Sequence, residues 1–119
     1  MDWFSLYAKK IMKKTNVKNF KKTLSKFTTG VTVVSVRHNN LTYCKTVNSF
    51  NSLSLSPPLV LFSLGKDSSS IRAFLNSKFL SINILSKEQK NLSNYFAKKT
   101  PKVKNINFIK SKNNIDIIE

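Results

Sequence analysis

Acidic residues are scarce in this chain: five Asp and Glu stand against 21 Lys and Arg, for a formal net charge of +16. Cysteine occurs once, at Cys44, so neither an internal disulfide nor a cysteine-based metal cluster is possible, and the chain suits a reducing compartment. Histidine also occurs once, at His38. One His, one Cys and five scattered carboxylates offer no ligand spacing for zinc or iron, and no metal site is expected. No apolar run approaches the roughly 18 residues that a membrane span needs. The first residues lack a continuous apolar stretch followed by a small-residue cleavage site, so no secretory signal is expected. Together these absences point to a cytoplasmic protein with no membrane span.

What is present suffices for one domain. The chain has 119 residues, 40% of them hydrophobic and nine of them Phe, enough to bury a core and too few for two. A charge of +16 suggests an anionic partner such as nucleic acid, a phosphate ligand or a membrane surface. The kind of base argues against nucleic acid. Only Arg37 and Arg72 carry the bidentate fork that favours base-edge and phosphate readout, and the other 19 basic residues are Lys. Lys arrives with much Asn and Ile and with only two Gly, the mixture an AT-rich coding sequence gives. Much of the charge is therefore read as solvated faces, and no specific nucleic acid is predicted; a nucleic-acid or anionic-surface binder stays as a third alternative.

Residues 1–19 form a basic amphipathic extension, in which Trp3, Phe4, Leu6, Tyr7, Ile11 and Met12 mix with Lys9, Lys10, Lys13 and Lys14. It either lies on a membrane surface or partner, or packs its aromatics on its own domain. Phe20, Leu24 and Phe27 share one face of a short helix that Thr28-Thr29-Gly30 should end, Gly30 tolerating a positive φ. Val31 to Val36 reads as a strand, His38-Asn39-Asn40 as a turn, and Leu41 to Val47 as its hairpin partner. On this reading His38 is a plain surface residue and Cys44 a buried structural thiol. A third strand runs through about Leu53, and the apolar run Leu59 to Leu64, behind Pro57-Pro58, reads as a fourth, in the core. Ile71, Phe74 and Leu75 mark a helix that Asp67 or Ser68 is suited to cap. Phe79 to Leu85 alternates as a fifth strand, and Ser86-Lys87-Glu88-Gln89 opens a helix burying Leu92, Tyr95 and Phe96. After Ala97 the pattern dissolves into a Lys/Asn-rich segment, 98–119, broken by Pro101, with one weak apolar group at Ile106, Phe108 and Ile109. The fold class is antiparallel α+β, most simply a small barrel.

Chemistry concentrates in two places. Thr46 to Ser52 is a run of small hydroxyl and amide side chains entering an apolar strand, which reads as backbone that a ligand approaches closely. Lys66 with Ser68, Ser69 and Ser70 sets an ammonium, hydroxyls and free N–H groups at a helix start, suited either to a phosphate or simply to capping the helix. A cofactor with a polar ring edge and a phosphate tail could span both.

Three linked blocks then carry a resemblance: FKKTLSKFTTGVTVVSV, TVNSFNSLSLSPPLVLFSLG and SKFLSINILSKEQKNLSNYFA. In order and spacing, over about Phe20 to Ala97, they resemble the flavin reductase-like family, the FMN-binding split barrels. The resemblance implies a homodimeric antiparallel, Greek-key split β-barrel with short flanking helices, a flavin reductase-like domain over 20–97. It implies a site for FMN or FAD, NADH or NADPH as co-substrate, and reduced flavin passed to a partner monooxygenase. A truncated or non-catalytic flavin-binding protein is the alternative. By the same resemblance Thr46, Val47, Asn48, Ser49 and Phe50 line the isoalloxazine ring, with Ser52 and Leu53 continuing that wall. Ser63, Leu64 and Gly65 flank the ribityl chain, and Lys66, Ser68 and Ser70 hold the phosphate. The family pattern continues past Ala97 with further strands, a G-D-H motif and a G-E-[VI] motif; the chain has neither, so an incomplete barrel is expected, and no catalytic residue is assigned.

Overall fold

The computed structural model of the protein describes residues 16–98, 106–112 and 115–119. Of the amphipathic extension expected over 1–19, residues 1–15 lie outside the described residues, as do 99–105 and 113–114 of the C-terminal segment, while its last three residues, Val17 to Asn19, open a helix.

Helix α1 spans Val17–Leu24. Asn16 caps it, its side-chain oxygen accepting from the Lys18 N–H at 2.8 Å, and Lys21 and Lys22 sit in its last turn, where the helix dipole favours cations. It stops before the expected Thr28-Thr29-Gly30: Ser25 Oγ donates to the Lys22 carbonyl at 2.8 Å and takes over a carbonyl the helix would use. Gly30 does not adopt a positive φ, so its freedom is not what ends the helix. No residue of α1 is buried, and the apolar side chains Phe20, Leu24 and Phe27 are all exposed.

The core is a three-stranded antiparallel sheet in the order β2-β1-β5, formed by β1 (Thr32–His38), β2 (Leu41–Val47) and β5 (Leu80–Ile84). Strand β1 is central, and Thr32 to Val36 are buried without alternation because both faces of the strand are covered. The β1–β2 turn is Asn39-Asn40, with φ of 50° and 62°, the left-handed pair a two-residue hairpin needs and Asn tolerates. His38 belongs to the strand rather than the turn: it pairs with Leu41 and is half-buried, not a plain surface residue.

Strands β3 (Asn51–Leu55) and β4 (Pro58–Leu61) form a separate two-stranded sheet, joined through a cis Ser56-Pro57 bond, with a register shift between Ser52 and Ser54. Strand β3 runs two residues further than expected and β4 ends at Leu61, not Leu64. The expectation of a core strand here fails: Leu59, Val60 and Leu61 are all exposed, and Leu55 is 92% exposed. A two-stranded ribbon has no second layer of its own, and among the described residues none is laid across it.

Helix α2 (Ile71–Asn76) buries Ala73, while Leu75 points to solvent. Its N-cap is Ser70 without a side-chain bond, not Asp67 or Ser68; the Ser68 carbonyl accepts from Ile71 N–H at 3.1 Å instead. The Ser86/Gln89 capping box forms as the sequence predicts, opening a 3-10 turn (Lys87–Gln89) that runs into α3 (Lys90–Phe96). Phe96 is fully buried against Val33 and Cys44, with Leu85, Leu92, Tyr95, Ile106, Phe108 and Ile118 packed around them.

The sequence did not disclose the last element, a hairpin of β6 (Phe108–Lys110) and β7 (Asp116–Ile118). It docks on the sheet through polar side chains. Asn83 Nδ2 donates to the Val33 carbonyl at 3.0 Å while its Oδ1 accepts from the Ile118 N–H at 3.0 Å. The Ser35 and Ser81 hydroxyls meet each other and both stand within hydrogen-bond reach of the Asp116 carbonyl, at 2.9 and 3.0 Å, sharing their two protons among the three contacts. The buried Asp116 carboxylate pairs with Arg37 at 3.1 Å and accepts from Thr42 Oγ1. The polar side of β5 therefore faces inward: Asn83 is buried while Leu80 and Ile84 are exposed.

Replacing Asn83 by Ala leaves the Ile118 N–H and the Val33 carbonyl without this partner in a buried seam, at an expected cost of about 2–3 kcal/mol. Urea unfolding of the Asn83→Ala chain measures it, and a loss below about 0.5 kcal/mol contradicts the clasp assigned to Asn83.

Candidate functional site

An open cleft of about 260 Å³ lies where three parts of the fold converge: the end of β2 with the turn after it, the segment following β4, and the end of α3. Lys45, Thr46, Val47, Asn48 and Ser49 form one wall, Ser63, Leu64, Gly65, Asp67 and Ser68 the other, and Ala97 closes the end. The walls are tied together. Ser49 Oγ accepts from the Ser63 N–H at 2.8 Å, so residues 14 apart in sequence hold the mouth at fixed width. On the helix side, Thr46 Oγ1 donates to the Ser93 carbonyl at 2.7 Å and Lys45 Nζ to the Lys98 carbonyl at 2.8 Å, pinning β2 to the last turn of α3.

Of the residues singled out in the sequence, Thr46, Val47, Asn48, Ser49, Ser63, Leu64, Gly65 and Ser68 meet in this cleft. Phe50, Ser52, Leu53, Lys66 and Ser70 lie outside its lining. Ser52 and Leu53 belong to the exposed β3, and Lys66 is solvent-exposed. Ser70 is buried at the start of α2, where its carbonyl accepts from Phe74 N–H at 3.2 Å. Sequence reasoning did not assign Lys45, Asp67 or Ala97 to the site. Lys45 adjoins the polar run and Ala97 ends the third block, so adjacency was the signal available; Asp67 had been considered only as a cap.

One feature suits a ligand with an anionic tail. Ser68 Oγ is buried and makes no hydrogen bond within the protein, an orphan that a phosphate oxygen would satisfy. The hydroxyl and amide groups of Thr46, Asn48 and Ser49 supply the polar edge that a ring with carbonyl and imide groups requires. The residues present therefore fit a flavin. Among the described residues, no group of three or more His, Cys, Asp and Glu could hold a metal ion, and no helix is long and apolar enough to cross a membrane.

Comparison with known proteins identifies the family. Residues 24–116 match the flavin reductase like domain, and the chain belongs to that family. It is 45% identical over 83 residues to the FMN reductase (NADH) SmoA of Agrobacterium fabrum, covering 70% of this chain and 48% of that protein. Among solved structures, the flavin reductase PheA2 superposes with a TM-score of 0.78 at 34% identity, covering 88% of this chain and 68% of PheA2. Nitrilotriacetate monooxygenase component B from Mycobacterium thermoresistibile superposes with a TM-score of 0.79 at 34% identity, over 86% of this chain and 57% of that one. The fold is the split barrel of the flavin reductases, its three sheets here remaining separate. The chain spans about half the length, or less, of curated relatives it matches.

Cys44 stands behind the cleft wall, on the core side. Burial, and then the nearby Asp116 carboxylate, push its thiol up from 9.0 to about 12, against a hydrogen bond with Ser35 that lowers it. A raised pKa means that the folded state keeps a proton the unfolded state sheds, so stability is full below pH 9.0 and falls as pH rises toward 12. The expected slope from this group is about 1.4 kcal/mol per pH unit. Thermal unfolding between pH 8 and 11 should show a shallower alkaline decline for Cys44→Ala than for the unaltered chain; identical declines contradict the assignment.

Proposed function

We propose that this chain binds FMN, or FAD, in the cleft and reduces it with NADH or NADPH, supplying reduced flavin to a partner monooxygenase. The observation that carries the reading is the unpartnered, buried Ser68 hydroxyl in one wall of a cleft whose other wall is the polar Thr46–Ser49 run. On this reading Thr46, Val47, Asn48 and Ser49 orient the ring, with Phe50, Ser52 and Leu53 beyond them. Ser63, Leu64 and Gly65 pass along the ribityl chain, and Ser68 holds the phosphate, with Lys66 and Ser70 nearby in sequence. The flavin, when bound, supplies the hydride-accepting chemistry; the protein's part is to bind, orient and leave one ring face open. The names of similar proteins support the partner: one is the reductase component of a trigonelline monooxygenase, another the reductase subunit HsaB of a flavin-dependent monooxygenase.

We also infer that the working unit is a homodimer in the cytoplasm, built on a domain over 20–97. The uncovered apolar side chains of α1 and of the β3–β4 ribbon support pairing, since such surface is usually buried against a partner. A flavin-binding protein without reductase activity is the second reading, which the same cleft lining supports.

Titration of the purified chain with FMN, followed by flavin fluorescence, should show saturable quenching, and anaerobic NADH should then bleach the bound flavin. Binding without bleaching would select the second reading, and no binding would end both. Ser68→Ala should weaken FMN about tenfold while leaving riboflavin, which lacks the phosphate, unchanged. Equal effects on the two ligands would remove Ser68 from the phosphate site.

A further inference from the structure

Asp67 is, among the described residues, the one carboxylate that lines the cleft. The Ser68 N–H donates to the Gly65 carbonyl at 3.0 Å, so Asp67 sits in a tight turn that delivers the next residue, Ser68, to the same wall. The carboxylate is placed against that turn: Oδ1 lies 3.0 Å from where a Cβ on Gly65 would stand. Consecutive Cα atoms are about 3.8 Å apart, so the carboxylate is a close neighbour of whatever the orphaned Ser68 hydroxyl holds. Asp67 forms no ion pair among the described residues, where the pair present is Arg37 with Asp116. The cations nearby are Lys45, which also lines the cleft, and the exposed Lys66.

A phosphate monoester changes charge close to neutral pH. Its second ionisation falls at about pH 6: below it the group carries one charge and a P–OH donor, above it two charges and no donor. A carboxylate accepts from the first form and repels the second. We propose that Asp67 selects against the doubly charged phosphate of FMN in this cleft, favouring the singly charged form and the singly charged phosphates of FAD. The proposal rests on the flavin reading given above, with the phosphate at Ser68, and it adds which ionic form of the ligand the site takes. Lys45 and Lys66 act in the opposite sense. Both are present with and without the carboxylate, so the part that belongs to Asp67 is the difference between the unaltered chain and Asp67→Asn.

Dissociation constants for FMN, FAD and riboflavin, measured at about pH 5 and about pH 8 on the unaltered chain and on Asp67→Asn, test it. At the higher pH Asp67→Asn should tighten FMN about threefold relative to riboflavin, which has no phosphate. Salt at about 1 M should erase most of that gain, since an exposed charge acts through solvent. At the lower pH the gain for FMN should shrink, because the phosphate has lost a charge and regained its donor. FAD, whose phosphates have no ionisation near pH 6, should show the same gain at both. An FMN-to-riboflavin ratio that Asp67→Asn leaves unchanged at the higher pH overturns the proposal, as does a gain for FMN equal at both. Weaker FMN binding by Asp67→Asn at both pH values also overturns it, and would make the carboxylate a plain acceptor for the ligand. If Asp67→Asn does not fold, Asp67→Ser removes the charge with another turn-compatible residue and must give the same result. Failure of the unaltered chain to bind any flavin is a different result and removes the flavin reading itself.

Discussion

The structure depends on a polar seam. A three-stranded sheet with two short helices against it has, among the described residues, a single buried phenylalanine, Phe96, and few fully buried side chains beside it. What turns that small core into a closed interior is the β6–β7 hairpin, and the hairpin is held by Asn83, Ser35, Ser81 and the Asp116–Arg37 pair. Each of these groups loses water on docking and is worth keeping only if its partner is in place. The seam therefore ties the hairpin to one register on the sheet. It also covers Cys44 and Val33, on the far side of the strands that form the cleft.

The cleft inherits its shape from that arrangement. Strand β2 belongs to the core sheet, and its last residues turn outward into the ligand wall, so the wall is as rigid as the sheet behind it. The opposite wall has no sheet behind it and is positioned by one hydrogen bond, from Ser63 to Ser49, and by the successive turns at Gly65–Ser68 and Ser68–Ile71. On the proposed flavin reading, a stiff wall for the ring and a softer one for the tail is a workable division where one part must be oriented and the other only held.

Local rules made part of this visible in the sequence. Asn39-Asn40 between two β-branched runs specifies its hairpin through backbone sterics alone, and Ser86 with Gln89 specifies a helix start through two reciprocal hydrogen bonds. Most of the cleft was visible too, because the residues that line each wall are contiguous in the chain. The β6–β7 hairpin was hidden since each strand is three residues long and pairs only with the other, too short for any periodicity to register. The inward side of β5 was hidden for a different reason: alternation shows that Ser81 and Asn83 share a face, but a polar interior is set by partners distant in sequence. Asp67 and Lys45 entered the site through chain geometry, not through a pattern of residue types.

The β3–β4 ribbon brings two opposing properties together in one molecule. It offers free backbone edges and apolar side chains on a surface with no cover among the described residues, which in most proteins invites indiscriminate sheet-to-sheet association. The same chain carries a formal charge of +16, enough for copies to repel one another at a distance. The lysines thus act as a colloidal brake: they slow random encounters, while a contact that buries the ribbon well can still overcome them. Such a balance is set by ionic strength, since added salt screens the repulsion and leaves the apolar attraction intact.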